Sequence, residues 1–241
     1  AINNPIIDSD LNLGFGKACN LGIKTIAKRD PQGIIWLLNP DTYFPKSCQK
    51  DYWTFVQNLW KKHSSISLLG TTIYTDQDEI WFSRGIFKEN KGSIQSQSKP
   101  CPDMADSDWI SGCSLMLNLL KFETLPYFDP NFFLYYEDFD FCIRYKSQGH
   151  KIAITNQLSI VHKVSEITDR NISKKIYHSS YSYLMALYRH TNLFVFIFYL
   201  VRFILNACAL LILRPVIGKA KFKGLQVAIH KIHTRVFQKE F

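Results

Sequence analysis

The sequence predicts an α/β domain with a mainly parallel sheet and flanking helices, followed by a basic, apolar helical region. Helical patterns alternate with short apolar runs over the first two thirds of the chain, as in proteins built from βα units. The 241 residues are 46% hydrophobic and 15% aromatic, which is enough for one large globular core. The charge is uneven, because residues 1–160 carry 16 Lys and Arg against 17 Asp and Glu, whereas residues 161–241 carry 13 against 3.

Two helix–strand units are predicted in the first part of the chain. A helical pattern over residues 16–28 precedes an apolar, β-branched run at 34–38, which ends at a proline-containing loop. A second amphipathic pattern over 51–62 precedes a strand at 67–74. We therefore expect both strands in the sheet, with the two helices packed against its faces.

The middle of the chain predicts a long connection and then three further strands. Residues 76–108 are polar and rich in Gly, Pro and Ser, which is typical of a long loop or an irregular hairpin facing substrate. Apolar runs predict strands at 109–117, 151–155 and 158–162. Between the first two of these, residues 137–148 fit a helix closed by a glycine.

The cysteines and the first residues bear on the compartment of the protein. The six cysteines form no C-x-x-C pair and stand among apolar residues, which favours reduced thiols in a cytosolic chain. The first residues lack the charged and apolar regions of a signal peptide. The chain does not begin with Met, so its first residue is expected to be a processing point or a cut.

Residues 193–213 form an apolar segment of about the length that spans a bilayer. Arg202 and Asn206 interrupt it, and a central Arg costs roughly 2.5–3.5 kcal/mol on insertion scales. This segment fits a buried core helix, an interfacial helix or a tilted span. The basic residues on either side favour membrane contact, and the interfacial helix is slightly favoured over the span. Nucleic-acid binding is disfavoured, because the basic residues alternate with apolar ones rather than with stacking aromatics.

Asp41 is the first candidate functional residue. It follows a predicted buried strand, at the edge where open α/β sheets bind their ligands. A carboxylate at this place can hold a divalent cation against a diphosphate, because hard cations prefer oxygen ligands. The alternative is a plain turn, since Asn39-Pro40-Asp41-Thr42 is also good turn chemistry.

The most informative stretch is residues 132–140, in which five apolar or aromatic residues lead into three carboxylates. Such a desolvated setting can give one carboxyl, Glu137, Asp138 or Asp140, a pKa suited to general-base chemistry. The alternative is a helix N-terminus, where the helix dipole favours acids. This alternative does not explain the run of apolar and aromatic residues that precedes the acids. His162 ends the last predicted strand; a lone His is usually structural, but together with Asp41 it makes a plausible metal pair.

Five blocks of sequence, taken together, carry a family resemblance. They are residues 12–20, 37–42, 110–117, 128–144 and 161–162. In this order they resemble the inverting family-2 glycosyltransferases, especially the rhamnosyltransferase-like branch. The resemblance covers residues 12–162 and includes Asn39-Pro40-Asp41 at the place of the family's D-x-D element and Glu137-Asp138 at the place of its E-D element.

The resemblance implies a GT-A fold over residues 1–165 and a helical, basic, membrane-associated region over 166–241. It implies metal-dependent, inverting transfer of a sugar, with rhamnose a reasonable choice, from a nucleotide-diphosphate donor to a glycan or lipid-linked acceptor. Asp138 is then the general base, and Asp41 with His162 binds Mg²⁺ or Mn²⁺. The residues expected around donor and acceptor are Asn12, Gly14, Phe15, Asn20, Asn39, Gly112, Cys113 and Glu137. The expected place is the cytoplasmic face of the cell membrane, in cell-surface polysaccharide synthesis, with a peripheral or single-span attachment.

The chain departs from the family pattern at its beginning. The βαβ unit that holds the base and ribose of the donor has no counterpart before Asn12, although such a unit needs about 30 residues. We therefore expect a fragment of a longer enzyme. The alternative function is a non-catalytic, membrane-associated GT-A remnant that acts as an interaction partner.

Overall fold

The computed structural model describes residues 6–45, 52–163 and 171–238, with the backbone alone over 235–238. The predicted alternation of helices and strands is confirmed. The helices are α1 (Phe15–Ala27), α2 (Tyr52–Lys62), α3 (Glu137–Ser147), α4 (Ile172–His190), α5 (Leu193–Leu213) and α6 (Pro215–Gln238). The strands are β1 (Ile34–Leu38), β2 (Thr42–Tyr43), β3 (Ile66–Tyr74), β4 (Ile80–Phe82), β5 (Arg84–Lys88), β6 (Ser93–Gln97), β7 (Ala105–Asp106), β8 (Ser114–Asn118) and β9 (Lys151–His162).

The main sheet is mixed, and the prediction of a mainly parallel sheet was wrong. Its order is β1-β8-β3-β9-β2, with β4 beside β3 and β7 beside β9. β3 and β9 run parallel, whereas the other pairings of the described sheet are antiparallel. Continuous apolar runs indicate strands buried on both faces, which is usual in parallel sheets. Here β3 and β8 are buried on both faces but antiparallel, so burial did not reveal strand direction.

Two strand predictions need correction. β8 begins at Ser114 rather than at residue 109, and residues 109–113 leave the main ladder. The two strands predicted at 151–155 and 158–162 are one strand, β9, whose register against β3 shifts partway along. The first error arises because apolar composition marks buried backbone whether or not it is paired in a ladder. The second arises because the exposed polar residues Asn156 and Gln157 interrupt the apolar pattern but not the strand.

The long connection between β3 and β8 contains the antiparallel hairpin β5–β6, which confirms the prediction of an irregular hairpin. Two hydrophobic clusters cover the main sheet. One joins it to α1 and α3 through Ile23, Leu115 and Phe141, and the other joins it to α2 through Val56 and Met116. The sheet is thus covered by helices on its faces, as expected for an α/β domain.

A third cluster joins the C-terminal helices to the rest of the chain. Phe132 and Phe139 pack with Met185 of α4, Phe203 of α5 and Ala228 of α6. The helical region therefore packs directly on the segment that carries the three carboxylates. The domain boundary predicted at residue 165 lies outside the described residues.

The apolar segment predicted to contact a membrane is a helix, α5. In the described part of the chain it is the one helix long and apolar enough to cross a bilayer. Length and composition alone do not separate a membrane span from the core helix of a soluble protein. Its surface is divided, since Phe203 and Ala207 are buried while Phe194 and Ile212 are exposed.

Candidate active site

A short turn at residues 111–113, directly before β8, brings the predicted halves of the site together. The Gly112 N–H donates a hydrogen bond to Asp138 Oδ2 at 2.9 Å. In the next residue, Cys113 Sγ accepts from Asn39 Nδ2 at 3.2 Å and lies 3.8 Å from His162 Nε2. Burial raises the pKa of Cys113 to about 12, so its side chain is a neutral thiol at neutral pH. The predicted base and the predicted metal ligands thus lie on either side of two consecutive residues.

Asp41 and His162 form a pair at the ends of their strands. Asp41 Oδ2 lies 3.3 Å from His162 Nε2. The pairing of β2 with β9 sets Thr42 opposite His162 and so brings the end of β1 to the end of β9. The Trp81 indole packs edge-on against the His162 ring, with the ring centroids 4.9 Å apart. Asp41 Oδ1 is buried and has no hydrogen-bond partner in the described structure.

The structure confirms the turn predicted at residues 39–42. The Asn39 carbonyl accepts from the Thr42 N–H at 3.2 Å and from the Thr42 hydroxyl at 2.6 Å. A turn fixed in this way holds the Asp41 carboxylate next to His162 rather than leaving it free on a flexible loop. The turn and the candidate metal site are therefore the same local structure.

The Asp41–His162 pair fits a divalent cation that is shared with a substrate. A buried carboxylate oxygen without a partner, beside an imidazole, is an incomplete oxygen and nitrogen ligand set. Among the described residues, no three or more His, Cys, Asp or Glu side chains are grouped to hold a metal by themselves. Mg²⁺ commonly binds one or two carboxylates and completes its shell with water and substrate phosphates. The residues present fit that arrangement.

Asp138 is held at the N-terminus of α3 by backbone donors. Its Oδ1 accepts from the Phe139 N–H at 2.8 Å and its Oδ2 from the Gly112 N–H. Burial raises the pKa of Asp138 above its usual range, although these N–H groups lower it in part. A fixed carboxylate with a raised pKa is well matched to taking a proton from a hydroxyl group. The helix N-terminus interpretation is confirmed, since all three carboxylates lie in the first turn.

Glu137 is the buried neighbour of Asp138. Its side chain is 6% exposed and faces α1, where a Cβ on Gly16 would lie 3.8 Å from the Glu137 Cβ. Its Oε2 has no hydrogen-bond partner among the residues that the structure describes. Burial, and then the charge of Asp138, raise the pKa of Glu137 to about 8. At neutral pH Glu137 is therefore mostly protonated.

The aromatic segment directly before α3 has an unusual backbone conformation that the sequence did not predict. Tyr135 and Tyr136 adopt left-handed conformations, with φ of 67° and 61°. Such conformations cost on the order of 1–3 kcal/mol each and persist where the surroundings impose them. Here the Ser182 hydroxyl of α4 donates a hydrogen bond to the Leu134 carbonyl at 2.9 Å, which ties this aromatic segment to the C-terminal helices.

A buried ionic cluster fixes both ends of the aromatic and acidic segment. Arg189, near the end of α4, donates from Nη1 to Asp140 Oδ1 at 2.9 Å and from Nη2 to Asp129 Oδ2. Arg144 Nε donates to Asp140 at 2.8 Å, and His190 Nε2 lies 2.9 Å from the same carboxylate. These partners hold the pKa of Asp140 below its usual value despite its burial. Asp140 is thus an anchor of the segment that carries the candidate base Asp138.

The glycine-rich start of α1 packs on the same turn. A Cβ on Gly112 would lie 2.8 Å from Phe15 Cζ, so the Phe15 ring lies directly on this glycine. Gly14 has a φ of 72°, and a Cβ there would lie 2.3 Å from the Phe133 carbonyl oxygen. Both glycines therefore permit close approaches that a side chain would block.

The two remaining predicted residues make hydrogen bonds within the chain. Asn20 donates to the Phe128 carbonyl at 2.8 Å and accepts from its N–H at 2.7 Å, so its amide positions the loop before the acidic segment. Asn12 Oδ1 accepts from the Gly14 N–H at 3.0 Å at the edge of a groove of about 220 Å³. The structure thus groups Asn39, Gly112 and Cys113 with the acidic residues, and places Asn12 and Asn20 on the α1 side.

Comparisons with known proteins give one distant relationship. No family model matches the chain. The low-salt glycan biosynthesis hexosyltransferase Agl10 of Haloferax volcanii is 22% identical over 160 residues, which is 65% of this chain and 50% of the relative. The chain spans about half the length of this curated relative. The similarity supports a glycosyltransferase, whereas the family-2 assignment and the rhamnosyltransferase branch remain predictions.

Proposed function

We propose that this chain carries the catalytic site of a metal-dependent, inverting glycosyltransferase of glycan synthesis. The donor is a nucleotide-diphosphate sugar, and rhamnose is a candidate for the sugar that is transferred. The acceptor is a glycan or a lipid-linked saccharide. The observation that supports this most is the turn at residues 111–113, which contacts Asp138 on one side and the Asp41–His162 pair on the other. The distant similarity to a hexosyltransferase supports the same class of reaction.

Asp138 acts as the general base in this proposal. Its carboxylate takes the proton of the acceptor hydroxyl while that oxygen attacks the anomeric carbon from the face opposite the leaving diphosphate. A single displacement of this kind inverts the anomeric configuration. The N–H groups of Gly112 and Phe139 orient the carboxylate, and burial keeps its pKa raised. Such a proton transfer typically contributes about 10²–10⁴-fold to the rate.

Asp41 and His162 would hold Mg²⁺ or Mn²⁺ at the donor diphosphate. When bound, the cation neutralises negative charge on the departing nucleoside diphosphate. Trp81 packs against the His162 ring and fixes its orientation, a support that ligating imidazoles commonly need. The Asn39 side-chain amide is held next to Cys113, because it donates a hydrogen bond to the Cys113 thiol.

The proposal also places the reaction at a membrane, on its cytoplasmic face, in the synthesis of cell-surface polysaccharide. The exposed apolar residues of α5 support membrane contact, among them Phe194 and Ile212 with exposed fractions of 85% and 84%. Residues 193–238 contain no Asp or Glu, which suits an anionic surface.

A nucleotide-release assay tests the proposed reaction. The chain is incubated with a panel of UDP- and dTDP-sugars and Mn²⁺, with water or added glycan as the acceptor. Wild type is expected to release nucleoside diphosphate from at least one donor, and Asp138→Asn to release far less, while NMR shows the released sugar first as the inverted anomer. Retention of configuration would refute the inverting mechanism. Nucleotide binding without any release would favour the non-catalytic interaction partner.

A further inference from the structure

The outer side of α5 is a continuous apolar face that runs along the whole helix. Its members recur at intervals of three and four residues, so they lie on one side of the helix. They are Phe194, Ile197, Phe198, Val201, Leu205, Cys208 and Ile212, all exposed. A helix of this length extends about 30 Å, and we call this surface the outer face of α5.

The opposite side of α5 is held by the rest of the chain. Phe203 and Ala207 are buried in the cluster shared with α4 and α6. A Cβ on Gly218 of α6 would lie 2.5 Å from the Leu211 nitrogen, which shows how closely α6 approaches. Near the other end, Gly92 of the β5–β6 hairpin lies so close to α5 that a Cβ would be 2.7 Å from the Tyr199 ring. The helix is therefore packed on protein along its length.

The polar residues of α5 lie beside the outer face rather than within it. Lys221 of α6 donates from Nζ to Asn206 Oδ1 at 2.5 Å. The Arg202 guanidinium lies over the Tyr199 and Phe198 rings, 5.7 and 5.9 Å from their centroids. The side chains that form the outer face are apolar, and Arg202 borders the face at Phe198.

The helices α5 and α6 carry charged side chains of one sign. Residues 193–238 carry seven Lys or Arg and no Asp or Glu. Lys219 and Lys223 of α6 border a groove of about 620 Å³ whose floor is apolar, with Leu211 and Phe222 among its lining residues. An apolar face with cationic residues beside it matches the hydrocarbon boundary and the anionic headgroups of a bilayer surface.

We infer that α5 lies in the plane of the membrane interface, with its outer face embedded and Lys219 and Lys223 bound to anionic phospholipid headgroups. A spanning α5 would draw into hydrocarbon the neighbouring helix α6, which carries Lys219, Lys221 and Lys223. An in-plane helix needs only about 5–10 Å of immersion of one face. The inference deepens the proposed function by naming the lipid surface, and it does not depend on glycosyl transfer.

The docked surface is joined to the proposed catalytic base. Arg189 and His190, which contact Asp140 in the first turn of α3, are followed within three residues by the start of α5. Asp138 lies in the same turn of α3. A chain docked in this way presents its base at a fixed height above the bilayer, where a lipid-linked acceptor would be found.

The depth of α5 in the bilayer distinguishes the in-plane arrangement from a span. Single cysteines replace Phe194, Val201 and Ile212 in a Cys208→Ser chain, and each carries an environment-sensitive fluorophore; the Cys208→Ser chain alone measures the background from the other cysteines. The fluorophores are quenched by lipids labelled at different depths, in vesicles of phosphatidylglycerol and phosphatidylcholine. We expect all three labels to report the same shallow depth. A span would place residue 201 deepest and separate residues 194 and 212 by about 27 Å, which would overturn the inference.

Matched charge variants test the face and the headgroup contact separately. Phe194→Glu with Ile212→Glu is expected to weaken vesicle binding at least tenfold, whereas Leu120→Glu, at a position 59% exposed outside α5, leaves it unchanged. Lys219→Gln with Lys223→Gln is expected to remove the preference for anionic over neutral vesicles. Far-ultraviolet circular dichroism without lipid shows that each variant is folded.

Three further results would overturn the inference: equal vesicle binding by all variants, no binding by the folded wild type, or label responses without lipid that grow with protein concentration. The last would assign the outer face to a second copy of the chain. Because vesicle binding is measured without donor, a chain that docks but does not release nucleotide would refute the proposed function alone.

Discussion

Replacement of Glu137 by glutamine is expected to remove a pH-dependent loss of stability. Glu137 is buried beside Asp138, and its pKa is raised from 4.5 to about 8, first by burial and then by the Asp138 charge. A carboxyl whose pKa is higher in the folded chain stabilises the fold below its unfolded pKa. This stabilisation is lost as the pH rises through the folded pKa. The window is therefore about pH 4.5 to 8, and stability falls toward the alkaline end.

The size of the effect follows from the two pKa values. At 1.36 kcal/mol for each pH unit between them, full ionisation of Glu137 in the folded chain costs about 5 kcal/mol. Part of this stabilisation is already lost at pH 5. At pH 8 the loss is not yet complete, because the folded carboxyl is only half ionised. Integration between these limits gives a loss of about 3 kcal/mol from this residue. For a chain of this size that corresponds to a decrease in Tm of roughly 6–12 °C.

Thermal unfolding followed by circular dichroism between pH 5 and pH 8 measures this effect. Wild type should lose more stability than Glu137→Gln between pH 5 and pH 8, and the difference between the two losses over this window should be about 3 kcal/mol. Glu89→Gln, at an exposed position, is the matched control and should follow wild type. Parallel curves for wild type and Glu137→Gln would refute the claim that Glu137 is held protonated at neutral pH.

Three further predictions follow from the same contacts. Asp138→Asn should lower the rate of nucleotide release by about 10²–10⁴-fold and leave donor binding largely intact, which release assays and calorimetry measure. Gly112→Ala should lower turnover, because its Cβ would lie 2.8 Å from Phe15 Cζ, and turnover should recover when Phe15→Leu is added. Arg189→Lys keeps the charge but cannot bridge two carboxylates, so unfolding should show a loss of roughly 1–3 kcal/mol; no loss would exclude Arg189 as the anchor of the base-bearing segment.

Local patterns in the sequence predicted the elements well. The apolar run at residues 34–38 coincides with β1, and α1, α2 and α3 lie within a residue of their predicted starts. These elements are set by periodicity and by breakers such as glycine, which act over a few residues. The direction of the strands could not be predicted in this way, since direction depends on how connections return to the sheet.

The candidate site was predictable only in part for the same reason. Asp41 and His162 were singled out because both follow or end apolar strands, and the structure sets them 3.3 Å apart. The anchoring of Asp140 could not be predicted, because Arg189 and His190 lie 49 and 50 residues further along the chain. The contact of Trp81 with His162 likewise depends on how the long connection folds back over the sheet.

The left-handed backbone at Tyr135 and Tyr136 also had no signal in the sequence. Left-handed conformations are predicted from glycine or asparagine, and two consecutive tyrosines argue against them. The conformation is imposed by contacts on both sides, which include the Ser182 hydrogen bond to the Leu134 carbonyl. Tertiary structure here overrides local preference next to the proposed base, where stored strain is common.

Calorimetric titration of the chain with UDP and dTDP, with and without Mn²⁺, tests the central claim most directly. The claim is that Asp41 and His162 hold a cation at a donor diphosphate, on the other side of the 111–113 turn from a separate base. We predict Mn²⁺-dependent binding by wild type, its loss in Asp41→Ala, and its retention in Asp138→Asn. Nucleotide binding that is independent of Mn²⁺ and unchanged in a folded Asp41→Ala variant would contradict the claim.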